Sequence, residues 1–469
     1  MLKYVKIQSQ EAWKCRRNHM SEMIVGILGF VCIAVIVFML FNSKTLPGIA
    51  FIVFPMILAC ILVLGGYYCW EDIGSLIKSG FGSIGPTAAL FVFSVMFFGL
   101  MGDAGVFTVI INRLMKVVKD NVMGVCILTC IMALIGHLDG GGASTFCIVL
   151  PAMIPVYRKM HMRTTTLLTI SVLAMGVLNL MPWAGPTMRA ATVLGMDAGS
   201  LWGTILPIQI VGIVLCFAVA IIFGLIEKRR GAGINGRLAE TEGVLVSESH
   251  TSDESDELVR PKLFVFNILL MIAVIILLIL DLFPSYVPFM IGLAIAIIVN
   301  YPGAKMQKKI MNLHANSALM MCSTIMGAAV MMGILVKSID GTQSVVSCMS
   351  NLLSNFIPAA LGNHLPIVIG ILSVPLALAF DTDSYFYGVL PIMIGIGEGF
   401  GIAALPIAVA MVVCRNCATF ISPMVPATLL GVGLAEIDIK EHIKHSFLWV
   451  WGFSVICMLF AVFAGIIPL

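Results

Sequence analysis

Asp139, Arg189, Asp381, Asp383 and Arg415 stand in stretches that are otherwise almost wholly apolar. Charge in a hydrocarbon setting is costly, so such residues face a partner or a wet cavity and mark a path for polar cargo. A carboxylate there holds a cation or, because desolvation favours the neutral acid, takes up and releases a proton. An arginine offers a planar fork to a carboxylate. Asp139, Asp381 and Asp383 are therefore the candidate coupling-ion residues, and Arg189 is a candidate substrate fork. The competing reading is that they form structural ion pairs, for example Asp383 with Arg415.

Hydroxyls, amides and helix breakers surround these charges. Ser144 and Thr145 follow Gly140-Gly141-Gly142, while Thr382 and Ser384 flank Asp383. Asn179 to Thr187 holds Pro182, Gly185 and Pro186, and Asn416 to Thr428 holds Ser422, Pro423 and Pro426. Proline removes a backbone donor and crowds the preceding turn, so both segments read as interrupted helices. Bare carbonyls at such a break suit a cation, and the restarting helix N-terminus suits an anion. One such break is an ordinary kink. Two matched breaks, each following a polar tip, point to a binding site. The candidate substrate-binding residues are Ser144, Thr145, Asn179, Gly185, Thr187, Arg189, Thr382, Ser384, Asn416, Ser422 and Thr428. Gly140, Gly141, Gly142, Pro182, Pro186, Pro423 and Pro426 make the helix breaks.

Other reactive side chains have plainer readings. His137 titrates in a range suited to proton relay, but a hydrogen-bonded packing role fits a lone histidine better, and His364 has the same status. Glu398 reads as a solvated loop residue. Cys414-Arg415-Asn416-Cys417 is formally a CxxC without the βαβ setting of redox motifs. The 31 methionines fill gaps in helix packing.

The elements that position these groups follow from composition. Of 469 residues, 60% are apolar and 11% charged, and mean hydropathy is +1.07. A water-soluble surface needs about 25% charge. A soluble enzyme, a disordered regulator and a nucleic-acid binder are excluded, and a net charge of +3 gives no basic footprint. The chain reads as an all-α polytopic membrane protein in a lipid bilayer.

A spanning helix needs about 20 apolar residues. Runs meeting that test begin near Met23, Leu46, Thr87, Thr164 and Leu201, and again near Leu263, Tyr286, Ala315, Ile402 and Ser446. Two segments read instead as re-entrant hairpins with polar tips, at 122–157 and 359–395; such backbone survives at membrane depth only when buried in protein or lining a cavity. Residues 1–21 form an N-terminal tail and 229–262 a polar linker, dividing the chain into halves at 22–228 and 263–469. Asp139, Pro151, Pro182 and Asp197 match Asp381, Pro391, Pro423 and Asp438 at separations of 242, 240, 241 and 241 residues. Five crossings plus one hairpin per half force opposite orientations, the inverted repeat of many secondary transporters. Basic residues of the linker, with Arg113, Lys116, Lys119, Arg158, Lys159 and Arg163, weigh toward a cytoplasmic linker and an external N-terminus; the basic tail argues the other way.

At Leu138-Asp139-Gly140, Asn179-Leu180-Met181-Pro182-Trp183-Ala184-Gly185-Pro186-Thr187-Met188-Arg189-Ala190, Tyr387-Gly388-Val389-Leu390-Pro391 and Ser422-Pro423-Met424-Val425-Pro426-Ala427-Thr428, the sequence resembles the CitMHS family of citrate–metal–proton symporters, within the ion-transporter superfamily. The likeness runs from about Ile24 to Pro468. In the family's N-x-x-P-W-G-G-P-T-x-R-A stretch only the first glycine differs, as Ala184. The family's L-D-G-D-G-T-T-T tip is altered: Gly141 replaces the second aspartate, and Ala143 and Ser144 replace two threonines. The S-N-D tip of the second hairpin stands as Asp381-Thr382-Asp383.

The resemblance implies an elevator-type carrier in a cell membrane, working as a homodimer, in which both hairpins and both broken helices move against a scaffold. It implies citrate complexed with a divalent cation (Mg²⁺, Ca²⁺ or a transition metal) as co-substrate, protons as the driving ion, and no resident cofactor. Pairing a trianion with a dication leaves one negative charge and lowers the desolvation cost, so substrate oxygens would hold most of the metal. A sodium-coupled di- or tricarboxylate carrier of the same fold is the alternative. An intramembrane aspartyl protease using Asp139 and Asp383 is remote, because that chemistry needs two carboxylates sharing a proton on firm helices. Nothing gives the filter ring of a channel or an ATP-binding motif.

Overall fold

The computed structural model describes residues 20–42, 44–115, 121–233, 258–280, 282–339, 341–354 and 357–468. The tail and linker readings, and the membrane orientation that rests on them, therefore fall largely outside the described residues.

The described chain is helical throughout, with one isolated bridge between Ile339 and Thr342. This is what an apolar setting dictates, since a helix satisfies its own backbone groups. In chain order the helices are α1 (Glu22–Phe41), α2 (Pro47–Leu64), α3 (Trp70–Asp103), α4 (Val106–Met115), α5 (Val122–Gly136), α6 (Gly142–Lys159), α7 (Thr164–Leu178), α8 (Gly185–Leu194) and α9 (Ala198–Arg229). There follow α10 (Phe264–Ile279), α11 (Tyr286–Asn300), α12 (Ala304–Val336), α13 (Val345–Ser354), α14 (Ala359–Gly362), α15 (Leu365–Ala377), α16 (Leu390–Gly399), α17 (Ala404–Cys417), α18 (Pro426–Leu434) and α19 (Ile439–Phe463).

Among the described residues, seven helices are long and apolar enough to cross a membrane: α1, α2, α9 and α19, the second parts of α3 and α12, and α10 with the short turn before it. Hydropathy led to an expectation of ten. The other three runs, from Thr164, Tyr286 and Ile402, form helices of only 15, 15 and 14 residues. At helical rise each covers about 22 Å, short of a hydrocarbon core of about 30 Å. The apolar sequence runs on past α7 and α17, but the backbone does not continue as α-helix; after α17 it makes a short 3-10 turn, Thr419–Ile421.

The longest helices, α3 and α12, of 34 and 33 residues, lie against each other. They touch closely where Gly80 meets the Ala329 carbonyl and Gly333 meets that of Leu76, contacts that leave no room for a Cβ. α12 also packs on α2, and α3 on α11. Large apolar side chains on α1, α2, α10 and α11 face outward, as a lipid-facing shell requires. α7 and α17 are the opposite case. Every residue from Thr165 to Leu178 is buried, as is every residue from Ile407 to Cys417, and the two helices touch. Helices apolar all round belong at a core. The breaks that follow them are thus held at the centre of the molecule.

Candidate functional site

Hairpin α5–α6 turns at Leu138–Gly141, with Gly140 at a φ of +71°, a conformation glycine adopts at no steric cost. The turn aims the half-buried Asp139 back across its own tip. One carboxylate oxygen accepts from the Gly141 amide (2.7 Å) and the other from Ser144 Oγ (2.5 Å). No lysine or arginine pairs with Asp139 among the described residues.

The tip is fastened to the first break. Thr145 Oγ1 lies 2.8 Å from His137 Nδ1, and His137 Nε2 lies 3.1 Å from Asn179 Oδ1. Trp183 Nε1 donates to the Leu138 carbonyl at 2.8 Å. The break's own carbonyl at Asn179 accepts from Thr187 Oγ1 (2.9 Å) and from Asn416 Nδ2 (3.1 Å), the latter reaching over from α17. His137 is fully buried and bonded through both ring nitrogens, in keeping with a packing histidine. Of the carbonyls at the tip and the breaks, those of Leu138, Asn179 and Phe420 accept hydrogen bonds from side chains.

The second hairpin is built differently. Between α15 and α16 the chain passes through Asp381–Asp383 into a π-helical stretch, Ser384–Val389. Asp381 Oδ2 accepts from the amides of Asp383 (3.0 Å) and Ser384 (3.3 Å), which shapes the tip. Asp383 pairs with Arg189 of α8, Nε to Oδ1 at 2.5 Å, with both side chains largely enclosed. The competing ion-pair reading offers Arg415 as an example of a partner for Asp383; the pair formed is with Arg189. Arg415 instead donates to Thr419 Oγ1 (2.8 Å) and the Phe380 carbonyl (3.4 Å) and lies over the Tyr385 ring. Ser384 Oγ, Asn416 Oδ1 and Thr428 Oγ1 are buried without a hydrogen-bond partner among the described residues.

Each hairpin also meets the other half of the chain. α6 packs on α18, and Gly142 lies against Phe420 and Ala427 with no space for a side chain. The π-helical stretch packs on α8. Phe420 presents its ring edge-on to His137 and Phe146. Asp139, Ser144, Thr145, Asn179, Thr187 and Asn416 thus form one connected group, and Arg189, Asp383 and Asp381 a second. Ser422 serves its own loop, Oγ accepting from the Met424 amide (3.2 Å). Cys414 and Cys417 are free and buried. Sequence reasoning missed two residues that complete the arrangement, Phe420 and His442. Nothing in a run of apolar residues marks Phe420, and His442 lies on another helix.

A family model described as "Citrate transporter", CitMHS, matches residues 33–414. The chain belongs to the CitMHS citrate transporter family. It is a multi-pass membrane transporter and not an enzyme. A Bacillus subtilis (strain 168) protein named "Citrate transporter" is 33% identical over 444 residues, 94% of this chain and 99% of that protein. From the same organism, a "Mg(2+)/citrate complex secondary transporter" is 31% identical, covering 91% of this chain and 95% of its own length. Among solved structures, the YdaH transporter of Alcanivorax borkumensis shares the fold at a TM-score of 0.54 and 14% identity, covering 83% of this chain and 88% of that one.

Proposed function

We propose that this CitMHS member is a secondary active symporter for citrate, or a similar carboxylate, carried with a divalent cation and driven by protons. Asp139 carries the reading. It is a half-buried carboxylate at a hairpin tip, with two donors and no cationic partner among the described residues. Such a group is stabilised by taking a proton, whereas the charge of Asp383 is already compensated by Arg189. A citrate–dication complex carries one net negative charge, and one proton neutralises it, which lowers the cost of crossing. The relative named for Mg(2+)/citrate supports a divalent co-substrate. No group of three or more His, Cys, Asp or Glu is assembled among the described residues, so this reading leaves Mg²⁺, Ca²⁺ or a transition metal mainly on substrate oxygens. Sodium coupling through backbone carbonyls at the two tips is the alternative reading.

The same proposal takes residues 22–228 and 263–469 as inverted repeats. The recurrence of element lengths supports it, α3 with α12, α4 with α13, α7 with α17 and α8 with α18. In this account α5–α8 and α15–α18 travel together against α1–α3 and α10–α12 in a homodimer. Trp183, packed against Phe98 of α3 and Phe289 of α11, lies at the sliding boundary.

Labelled citrate uptake into proteoliposomes, with and without Mg²⁺ and an imposed pH gradient, tests the reading. Uptake requiring both supports it; citrate uptake that requires Na⁺ and ignores the gradient overturns the coupling.

A further inference from the structure

The two breaks handle the same hydroxyl differently. Thr187 stands five residues after Pro182 and donates to the carbonyl eight residues behind it, that of Asn179 (2.9 Å). Thr428 stands five residues after Pro423, so its corresponding acceptor is the carbonyl of Phe420. That carbonyl has a different donor. His442 of α19 donates to it from Nε2 at 3.2 Å. Thr428 Oγ1, on a residue only 1% exposed, is left without a partner among the described residues.

The imidazole is held for this task. A carbonyl only accepts, so the proton of neutral His442 sits on Nε2, and Nδ1 accepts from Ser446 Oγ at 3.2 Å. Ser446 is in turn bonded to Thr169 Oγ1 of α7 at 2.8 Å. His442 is thereby tied between α7 and the second break, and it is buried. A buried hydroxyl with nothing to bond is costly, and a ligand oxygen removes that cost.

We infer that His442 is a positioning residue for substrate. By occupying the Phe420 carbonyl it keeps the Thr428 hydroxyl free to donate to a carboxylate oxygen of the cargo. The inference rests on the carboxylate-transport reading above. At the first break the Asn179 carbonyl accepts from both Thr187 and Asn416, whereas at the second the Phe420 carbonyl accepts from His442 and not from Thr428.

A mutant cycle on the full-length protein in proteoliposomes tests it, with KM for citrate in the presence of Mg²⁺ as the readout. Thr428→Val removes the hydroxyl at nearly constant shape and raises KM about tenfold with maximal rate retained. Thr428→Ser keeps wild-type KM. His442→Leu removes the donor, lets Thr428 turn back onto the Phe420 carbonyl and raises KM by a similar factor. His442→Gln, whose amide still donates, restores it. The double variant His442→Leu/Thr428→Val is no weaker than Thr428→Val alone. If His442→Leu does not fold, His442→Met carries the same comparison. Factors that multiply in the double variant, or an unchanged KM in Thr428→Val, overturn the inference while leaving citrate transport standing. A wild-type protein that carries no citrate with Mg²⁺ overturns the transport reading and the inference with it.

Discussion

Arg189 of α8 and Asp383 of the second hairpin tip are ion-paired at 2.5 Å although 194 residues separate them in the chain. The pair fastens the restarted helix of one half to the tip of the other. Its largely enclosed position means that each charge depends on its partner. Removing one side leaves an uncompensated charge, whereas removing both is tolerated far better. Arg189→Met or Asp383→Asn alone is expected to lower stability by about 3–5 kcal/mol, and Arg189→Met/Asp383→Leu to recover most of that. Thermal unfolding in detergent reads the comparison. Equal losses in the single and double variants would show that the pair is not coupled.

Asp139 is expected to carry the proton dependence. Asp139→Asn keeps the fold, since its amide oxygen still accepts from the Gly141 amide and its NH2 donates to Ser144 Oγ. Its citrate uptake should no longer respond to an imposed pH gradient. Ser144→Ala removes one of the two donors that hold the carboxylate and should change the uptake–pH profile. A profile unchanged in both variants removes Asp139 from the coupling role.

His137 bridges Thr145 and Asn179 through both ring nitrogens. His137→Leu strands two buried polar groups and should cost about 2–4 kcal/mol, with a lower maximal uptake rate. The pH profile should keep its wild-type midpoint. A moved midpoint would make His137 part of the proton path.

Glu227 is a test case away from the site. Its fully enclosed carboxylate accepts from Arg163 Nε (2.6 Å), Thr166 Oγ1 (2.7 Å) and Arg230 Nη1 (3.0 Å), fixing the end of α9 to the start of α7. Glu227→Gln should reduce stability by about 1–3 kcal/mol and leave citrate KM unchanged. A several-fold change in KM would place this joint in the transport cycle.

Much of this arrangement was legible in the sequence, and the reasons are local. Gly140 and the prolines at 182, 186, 423 and 426 act on their own backbone, so the tip and the breaks announce themselves. The half-length of α7 and α17 was harder to read. Their apolar sequence runs on through the break, and hydropathy cannot tell a spanning helix from a broken one. Charge pairing was not legible. Asp383 has Arg415 nearer in sequence, and only the packing of α8 on the π-helical stretch brings Arg189 to it instead. Nor could the sequence show that His442 reaches Phe420, because that bond joins α19 to a loop 22 residues away.

The most direct test of the account is proton movement itself. Proteoliposomes loaded with a pH-sensitive dye, without an initial gradient, are given citrate together with Mg²⁺ on the outside. The account predicts acidification of the interior with citrate and Mg²⁺ together, little with either alone, and none in Asp139→Asn. Labelled citrate entering with no acidification, or only when Na⁺ is supplied, would contradict it.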